Sequence, residues 1–491
     1  MGDIMKNINK AYGIIYLFLM GFTLILLLFF DNINYNTKVN FIFPNIYIFI
    51  SSIFILILFI FYPLKFSIDK KKYYLWLLII FVVCYVIELV IQKYCFFRTG
   101  WDVDVIIKNS DYFISTGKIL NVDYFTRYPN NLFLLFIFIL IKKTIPLGMA
   151  GILIINSFLV SLSCLFTSLT IKNILNDYKV ALMSYLVMIP LILFNPWIII
   201  TYSDTFAILF PILIIYLYTQ KNKKPYIYFL LIFLSIIGCF IKPTVIIVLI
   251  SIIIIEVTNS LVSIKKIDIK KFSINFCAVI LSILISFSIK YFSKNYLSFN
   301  KSNVYEFNFT HFLAMGQNDI TNGVYSTDDV LYSIKNGMTD NLKIFRFRIS
   351  NRSFVENVKF FSKKNLINYN NGTFSWGIEG NFYNKVGKSN SKLTNLLRNY
   401  YFKEGKYYKY FIQISQFVWI FLLCFTPFIY KHKNSKTELV IMLSITGITL
   451  FLLLFEARAR YLYCYSPVFV LCGILGFNNI KTYIRKRWRI K

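Results

Sequence analysis

The chain has 491 residues, of which 57% are apolar and 15% charged, and 53 Lys and Arg against 22 Asp and Glu give a formal net charge of +31. Average soluble domains contain about 25% charged residues, so this composition excludes a soluble enzyme. The 52 Phe and 36 Tyr residues exclude a disordered chain. Lys and Arg lie in short clusters between long apolar runs, which favours an integral membrane protein over a nucleic-acid-binding one.

Apolar runs that approach the length of a membrane-crossing helix, about 20 residues, recur along the chain. About twelve crossings are predicted, at 12–30, 41–65, 73–94, 148–171, 181–200, 205–219, 225–241, 243–259, 272–292, 409–430, 438–455 and 462–478. No small-residue cleavage site follows Phe30, so we interpret the first run as a retained anchor. The predicted fold class is an all-α polytopic membrane protein.

A further apolar stretch, 131–141, ends at Lys142 and Lys143 and is too short to cross comfortably. Counting it as a crossing would move every later basic loop to the opposite side. Without it, the basic clusters share the side of the N-terminus, as the positive-inside bias requires: 70–72, 221–224, 265–271, 431–436 and 485–491. We therefore predict that 131–145 lies flat at the outer interface with both lysines snorkelling, and that both termini are cytoplasmic.

This topology predicts four outward segments, 95–130, a turn around 202–204, a long loop at 294–408 and a turn at 456–461. The long loop far exceeds ordinary connection lengths, and its turn signals and amphipathic stretches predict a small mixed extracytoplasmic subdomain. The predicted units are two N-terminal helices (1–72), a membrane core with the outer loop 95–130 (73–293), the subdomain (294–408), and the last helices with a basic cytoplasmic tail (409–491).

Asp102 and Asp104 directly follow a predicted membrane exit. On an extended or turn backbone they would share a face and could hold one divalent cation, Mg²⁺ or Mn²⁺, or one substrate hydroxyl, whereas on a helix they would diverge. Partial loss of hydration at the bilayer edge makes a carboxylate more basic, which suits deprotonation of an acceptor. The alternative is a solvated acidic loop.

Further polar residues stand at predicted outer helix ends. Arg127 and Tyr128 fit a lipid headgroup or a sugar, or an ordinary aromatic belt. Asp204, between two apolar runs, is a functional candidate, or together with Ser203 an N-cap of the next helix. Lys242 is an isolated positive charge at a predicted outer helix end, which predicts that it binds an anion.

Glu456, Arg458 and Arg460 follow a late span. The two arginines could bind a phosphate through bidentate hydrogen bonds, or the group could be an internal ion pair with interfacial snorkelling.

His311, followed by Gln317 and Asn318, is a candidate for substrate contact, and a purely structural role is equally well supported. The chain has two His residues, so no His-based metal site is expected. The sequence contains no Gly-rich phosphate-binding loop, so nothing in it indicates ATP-driven work.

The order of these features resembles membrane glycosyltransferases of the GT-C class, in particular bacterial relatives of the protein-mannosyltransferase and aminoarabinose-transferase families. Asp102 lies in the first large outer loop and is followed fifteen residues later by Gly117, the spacing of the aminoarabinose transferases. A juxtamembrane segment is entered through Tyr128-Pro129, and an Arg-containing motif precedes the last span. Two stretches look like motifs of Gram-positive members, Met315-Gly316-Gln317-Asn318 and Glu456-Ala457-Arg458-Ala459-Arg460-Tyr461.

The resemblance implies that Asp102 is the catalytic base, Asp104 an auxiliary carboxylate and Asp204 a further part of the acidic site. It implies that the lipid phosphate is bound by Lys242, Arg458 and Arg460. The implied reaction is inverting transfer of a sugar from a polyprenyl-phosphate donor to an envelope glycan, lipid or protein at the outer face of a bacterial plasma membrane. Apart from the divalent cation considered above, no cofactor is implied.

Two rival functions remain open. An O-antigen-type polymerase or ligase also has about a dozen helices and a large outer loop with arginines, but it consumes diphosphate-linked oligosaccharide. A lipid or sugar transporter would need charges inside spans and broken, repeat-related helices, of which Glu88 in the third predicted span is the main sign.

Overall fold

The computed structural model describes residues 2–30, 41–62, 66–220, 224–260, 269–386, 391–431 and 434–489, and the regular structure in these ranges is helical. The α-helices are α1 (Gly2–Phe29), α2 (Asn45–Phe61), α3 (Lys70–Cys95), α4 (Asp102–Thr116), α5 (Val122–Arg127), α6 (Asn130–Thr144), α7 (Met149–Leu175), α8 (Tyr178–Met183), α9 (Tyr185–Met188), α10 (Ser203–Phe206), α11 (Leu209–Tyr218), α12 (Pro225–Ile241), α13 (Ile246–Ser260), α14 (Ile269–Tyr296), α15 (Phe309–Gly316), α16 (Thr327–Ser350), α17 (Phe354–Tyr369), α18 (Lys392–Tyr401), α19 (Tyr408–Phe425), α20 (Lys436–Leu454), α21 (Arg460–Tyr463) and α22 (Ser466–Arg487). Shorter turns are a π-helix (Ile189–Leu193) and 3-10 helices (Pro196–Ile199, Pro243–Val245 and Thr426–Ile429).

Eight segments in the described ranges are long and apolar enough to cross a membrane, and they comprise most or all of α1, α3, α7, α13, α14, α19, α20 and α22. Shorter apolar segments occupy the other predicted spans: Asn45–Phe61, Tyr178–Leu193, Ser203–Tyr218 and Pro225–Ile241. The chain is therefore an all-helical protein with several candidate membrane spans, as predicted. The count of twelve crossings stays a prediction.

The predicted span at 181–200 is the most irregular. Pro190 lies in the π-helical turn and Pro196 begins a 3-10 turn. Proline lacks the backbone N–H that a continuing helix needs, so the regular ladder stops here. The Ile198 carbonyl instead accepts hydrogen bonds from Gln92 Nε2 and Asn156 Nδ2, each at 2.8 Å.

The helix predicted to lie on the outer interface, α6, is largely enclosed by protein, with fully buried Leu134, Leu135, Phe138 and Ile139. The prediction that Lys142 snorkels is wrong. It is 9% exposed and donates from Nζ to Ser110 Oγ at 2.8 Å and to Asp111 Oδ1 at 2.5 Å, because α4 supplies a carboxylate beside it. Lys143 is exposed and donates to the Tyr296 hydroxyl at 2.7 Å.

The long loop at 294–408 was predicted to be a mixed subdomain, but its described residues form α15 to α18 and no strand. Its segment 364–376 packs among the long helices, and we call it the inserted segment. Asn365 Nδ2 donates to Thr23 Oγ1 at 2.9 Å, and Gln416 Oε1 accepts from the Gly372 N–H at 2.7 Å. The inserted segment is thus part of the core of the protein.

Candidate functional site

A cavity of about 660 Å³ lies where several helices begin or end. Its wall combines the starts of α4 and α6, the segments 200–203 and 242–244, α15 and the residues after α20. Seven residues selected from the sequence line it together: Asp102, Tyr128, Lys242, His311, Glu456, Arg458 and Arg460. Positions that are up to hundreds of residues apart in the chain therefore converge on one cavity.

Several helices have a basic cluster at the end that is farther from this cavity. α3, α12 and α20 each begin at or directly after lysines and end next to the cavity, whereas α22 begins beside it and ends at Arg485–Arg487. Because each helix connects two opposite ends of the bundle, the cavity and these basic clusters lie at opposite ends.

Asp102 is the first residue of α4, where free N–H groups and the helix dipole favour a carboxylate. The Tyr202 hydroxyl lies 3.3 Å from Asp102 Oδ2 and 3.2 Å from Asn131 Oδ1. Asn131 Nδ2 donates to the Tyr124 hydroxyl at 2.7 Å. This network orients Asp102 while its half-buried carboxylate stays accessible from the cavity.

Asp104 faces away from the cavity. It is buried and accepts a hydrogen bond from Arg98 Nε at 2.8 Å. Side chains two residues apart on a helix are rotated by about 200°, so the shared-face arrangement of Asp102 and Asp104 is not formed. In the described ranges, no group of three or more His, Cys, Asp and Glu residues could hold a metal ion. The side chains present here do not fit an Mg²⁺ or Mn²⁺ site.

Asp204 lies behind the cavity wall, between two cations, and is 2% exposed. Lys242 Nζ lies 2.5 Å from its Oδ1. Arg460 Nε lies 3.1 Å from its Oδ2, although the N–H is not aimed along a hydrogen bond. Tyr202, not Asp204 or Ser203, is the N-cap of α10. Asp204 therefore compensates and positions the two cations.

Arg458 and Arg460 are bridged by a third acidic residue, Glu379. Arg458 Nε lies 2.9 Å from Glu456 Oε1, and its Nη1 lies 3.6 Å from Glu379 Oε2. Arg460 Nη1 lies 3.7 Å from the same Glu379 oxygen. Burial alone would lower the pKa of both guanidinium groups, but Glu456 and Glu379 around Arg458, and Glu379 and Asp204 around Arg460, raise it above the ordinary value. Both side chains therefore stay charged.

Four aromatic rings surround the Arg460 guanidinium at 5.5 to 6.0 Å: Trp101, Trp197, Tyr202 and Tyr461. The Lys242 ammonium lies 4.2 Å from the centre of the Tyr461 ring. Such contacts add cation–π stabilisation where water is excluded. The two buried cations are thus held by aromatic faces as well as by carboxylates.

His311, on α15, also lines the cavity. Its Nδ1 lies 2.7 Å from Ser333 Oγ, and the Ser333 hydroxyl donates to Asn341 Oδ1 at 2.9 Å. The Ser333 proton is therefore used, so Nδ1 carries the imidazole proton and Nε2 is the acceptor. Burial lowers the pKa of His311 to about 4, which leaves the ring neutral at physiological pH.

Besides Asp104 and Asp204, three further selected residues do not line the cavity. Gln317 Nε2 donates to the Leu454 carbonyl at 3.0 Å, and Asn318 Nδ2 donates to Asp329 Oδ2 at 2.7 Å. The Arg127 carbonyl accepts from the Phe307 N–H at 3.0 Å, while its side chain is outside the lining. These residues support the wall of the cavity.

The stretch 315–325 and the loop 455–461 are packed directly on each other. Lys364 Nζ donates to the carbonyls of Gly316, at 2.5 Å, and Phe455, at 2.7 Å. The Ala457 N–H donates to the Gly323 carbonyl at 2.7 Å. A Cβ on Gly316 would meet the Phe455 backbone at 2.5 Å, so only glycine permits this approach. The first stretch therefore positions the arginine-bearing loop.

Several residues that line the cavity were not predicted from the sequence: Trp101, Asn131, Tyr202, Phe307 and Glu379. Glu379 had only one visible signal, the turn it forms with Gly380, because its arginine partners are about eighty positions away. Trp101 and Tyr202 are neighbours of selected acids, and the unusual density of aromatic residues hid them.

A family model described as "conserved hypothetical integral membrane protein" matches residues 4–481. No curated protein matches the chain. The family match covers nearly the whole chain, so it confirms an integral membrane protein in contact with the lipid bilayer. The resemblance to glycosyltransferases stays a prediction. The chain belongs to this family of conserved hypothetical integral membrane proteins.

Proposed function

We propose that the protein is a membrane glycosyltransferase that moves a sugar from a polyprenyl-phosphate donor to a hydroxyl group of a cell-envelope acceptor. The observation that carries the proposal is one cavity lined by Asp102 together with Lys242, Arg458 and Arg460. A carboxylate suits deprotonation of an acceptor, and the cations suit a leaving phosphate.

The lipid part of the donor would lie along the apolar wall of the cavity. This wall contains Phe309, Phe312, Met315, Phe451 and Phe455. Phe309 is 56% exposed and so offers an apolar surface at the rim. Isoprenoid chains are bound by burial of apolar area, which this surface supplies.

Arg458 is the cation best placed to contact the phosphate. Its side chain is 22% exposed, and its contact with Glu379 is long at 3.6 Å, so part of its donor fork is available. Lys242 and Arg460 are buried against Asp204 and contribute a fixed positive potential. Arginine donors in a fixed geometry stabilise charge as it develops on a leaving phosphate.

Asp102 acts as the general base. The acceptor oxygen attacks the anomeric carbon as its proton passes to Asp102, and the bond from that carbon to the phosphate oxygen breaks. The bonding electrons leave with polyprenyl phosphate, whose negative charge is met by the cations. A single displacement of this kind inverts the anomeric configuration.

The arrangement of basic clusters supports an outward-facing cavity. Cytoplasmic loops are enriched in Lys and Arg, and the basic ends of α3, α12, α20 and α22 lie opposite the cavity. In this orientation both termini are cytoplasmic and twelve segments cross the membrane. Reaction then takes place at the outer face of a bacterial plasma membrane.

The test is transfer by the purified full-length protein in proteoliposomes, using radiolabelled polyprenyl-phosphate hexose and an envelope extract as acceptor. Asp102→Asn is expected to lower turnover by about 10²- to 10⁴-fold, since it removes the base. Asp123→Asn is the matched control, because Asp123 is exposed and lies outside the cavity. Full turnover of Asp102→Asn, or equal product without the lipid donor, would contradict the proposal.

A further inference from the structure

A second polar cluster is buried between α3 and α7, away from the lining of the cavity. At its centre is Glu88, which is 0% exposed, and neither of its carboxylate oxygens has a hydrogen bond of acceptable geometry. In the part of the chain that the structure describes, no Lys, Arg or His forms an ion pair with it. An ionisable group within a membrane span is a functional candidate by default.

Neutral side chains lie around this carboxylate, among them the thiols of Cys84 and Cys164 and several hydroxyl and amide groups. Ser157 and Ser161, one helical turn apart on α7, closely approach the Glu88 carboxyl group. Gln92 lies one turn after Glu88 on α3, and Tyr185 is near enough to interact electrostatically with Glu88. All of these side chains are buried, so the cluster is enclosed by protein.

The two amides of the cluster are oriented by one backbone group. Gln92 Nε2 and Asn156 Nδ2 both donate to the Ile198 carbonyl, so each amide presents its oxygen elsewhere. Gln92 Oε1, Asn156 Oδ1 and the Tyr185 hydroxyl have no hydrogen-bond partner, and Ser157 Oγ and Ser161 Oγ approach Glu88 without a hydrogen bond of acceptable geometry. Buried polar atoms are nearly always satisfied, so this concentration of oxygen atoms indicates a bound species.

We propose that Glu88, Gln92, Asn156, Ser157 and Ser161 form a binding site for a monovalent hard cation, Na⁺, within the membrane core. Carboxylate, amide and hydroxyl oxygens are the ligands that hard cations prefer. One carboxylate balances one positive charge, whereas a divalent ion would leave an uncompensated charge in an apolar surrounding. The site is distinct from the transferase cavity and does not depend on the proposed transfer reaction.

The cation would also stabilise the irregular segment that reaches the cavity. Ile198 is held by the two cluster amides, and Ile200 and Tyr202 follow it into the cavity wall. Occupation of the site therefore strengthens the support of Tyr202, which contacts Asp102.

The experiment measures thermal unfolding of the full-length protein in detergent with NaCl, KCl or choline chloride at equal ionic strength, together with ²²Na⁺ binding. Ligands that bind only the folded state raise the unfolding temperature as their concentration rises. We expect a saturable increase with Na⁺ that choline does not reproduce, and one ²²Na⁺ bound per chain. Glu88→Gln should lose both effects.

Glu256→Gln is the control, because Glu256 is a partly exposed carboxylate that pairs with Lys436 and should leave Na⁺ binding unchanged. If Glu88→Gln does not fold, Ser161→Ala serves instead and should weaken ²²Na⁺ affinity severalfold. Equal stabilisation by all three salts would overturn the proposal. Unchanged ²²Na⁺ binding in both variants, or stability that depends on pH but not on Na⁺, would also overturn it.

Discussion

Asp204 and Glu88 are both fully enclosed by protein, but their surroundings are opposite. Asp204 lies between Lys242 and Arg460, whereas Glu88 forms no ion pair with any residue that the structure describes and lies beside the hydroxyl groups of Ser157 and Ser161. A buried ion costs several kcal/mol unless it is paired. The protein itself therefore balances the charge of Asp204, and the charge of Glu88 requires a proton or a bound cation. The comparison teaches that Lys242 and Arg460 are balanced by Asp204 inside the protein, and that Arg458, whose side chain is 22% exposed, is the more accessible cation of the cavity.

The largest expected effect comes from breaking the balanced side of this comparison. Asp204→Asn leaves Lys242 and Arg460 buried without their shared carboxylate, so it should lower the free energy of unfolding by about 3–5 kcal/mol. Thermal unfolding in detergent measures this effect. The double variant Asp204→Asn with Lys242→Met should recover part of the loss, since one uncompensated cation is removed. Equal stability of Asp204→Asn and the wild type would show that the network contributes nothing.

Arg458→Gln tests whether Arg458 is the cation that binds the phosphate of the donor. Removal of one donor to a developing oxyanion costs about 10²- to 10³-fold in turnover, or roughly 3–4 kcal/mol. We expect a loss of this size in transfer assays, together with a loss of stability smaller than that of Asp204→Asn, because Arg458 is 22% exposed but its removal leaves Glu456 without its partner at 2.9 Å. Arg346→Gln, on the exposed face of α16, is the control. Normal turnover of Arg458→Gln would show that the phosphate does not bind at Arg458.

Gly316→Ala tests the packing that positions the arginine loop. The added methyl group would overlap the Phe455 backbone, and overpacking of this kind costs about 1–3 kcal/mol. Phe455 leads into the loop that carries Arg458. The loss in turnover, expressed as a free energy, should therefore exceed the loss in the free energy of unfolding. Gly21→Ala, where no atom lies within 4 Å of the new Cβ, should change neither quantity. The two variants are compared by transfer rate and unfolding temperature.

The last expected effect concerns pH. Burial is the main cause that lowers the pKa of Lys364 from 10.5 to about 7. Between these values the unfolded chain binds more protons than the folded protein, so this residue makes stability rise with pH, by up to about 1.4 kcal/mol per pH unit. The neutral amine keeps two N–H donors for the carbonyls of Gly316 and Phe455.

Unfolding of Lys364→Met between pH 7 and pH 9 provides the measurement for this residue, and the variant should show a weaker rise with pH than the wild type. Lys359→Met, an exposed lysine on the same helix, should keep the slope of the wild type. Identical slopes in all three proteins would assign the pH dependence to other groups.

Hydropathy predicted the helical class and the places of the long helices because an apolar run is a local property of the sequence. Partners distant in the chain were not predictable in this way. Lys142 was expected at the lipid headgroups, but its carboxylate, Asp111, lies 31 positions earlier. The inserted segment is rich in Asn and resembles a surface loop, yet Asn365 Nδ2 and the Gly372 N–H donate to residues of other helices, Thr23 and Gln416.

The sequence predicted many of the residues that line the candidate site, but it did not predict which of them contact one another. Isolated charges at helix ends led to Asp102, Lys242, Arg458 and Arg460, which line one cavity. The sequence could not show that Asp104 turns away, since this depends on whether α4 begins before or after it. It also could not show Glu379, whose role arises only when the long loop folds back onto the arginines.

The most direct measurement is photolabelling of the full-length protein with a photoreactive polyprenyl phosphate, followed by mass spectrometry of the labelled peptides. We predict that label falls on 307–315 and 451–461 and that unlabelled polyprenyl phosphate competes. Polyprenol should compete less, because it lacks the phosphate group that we propose Arg458 binds. Label spread over the outer helices, or equal competition by the phosphate and the alcohol, would contradict a lipid-phosphate site in this cavity.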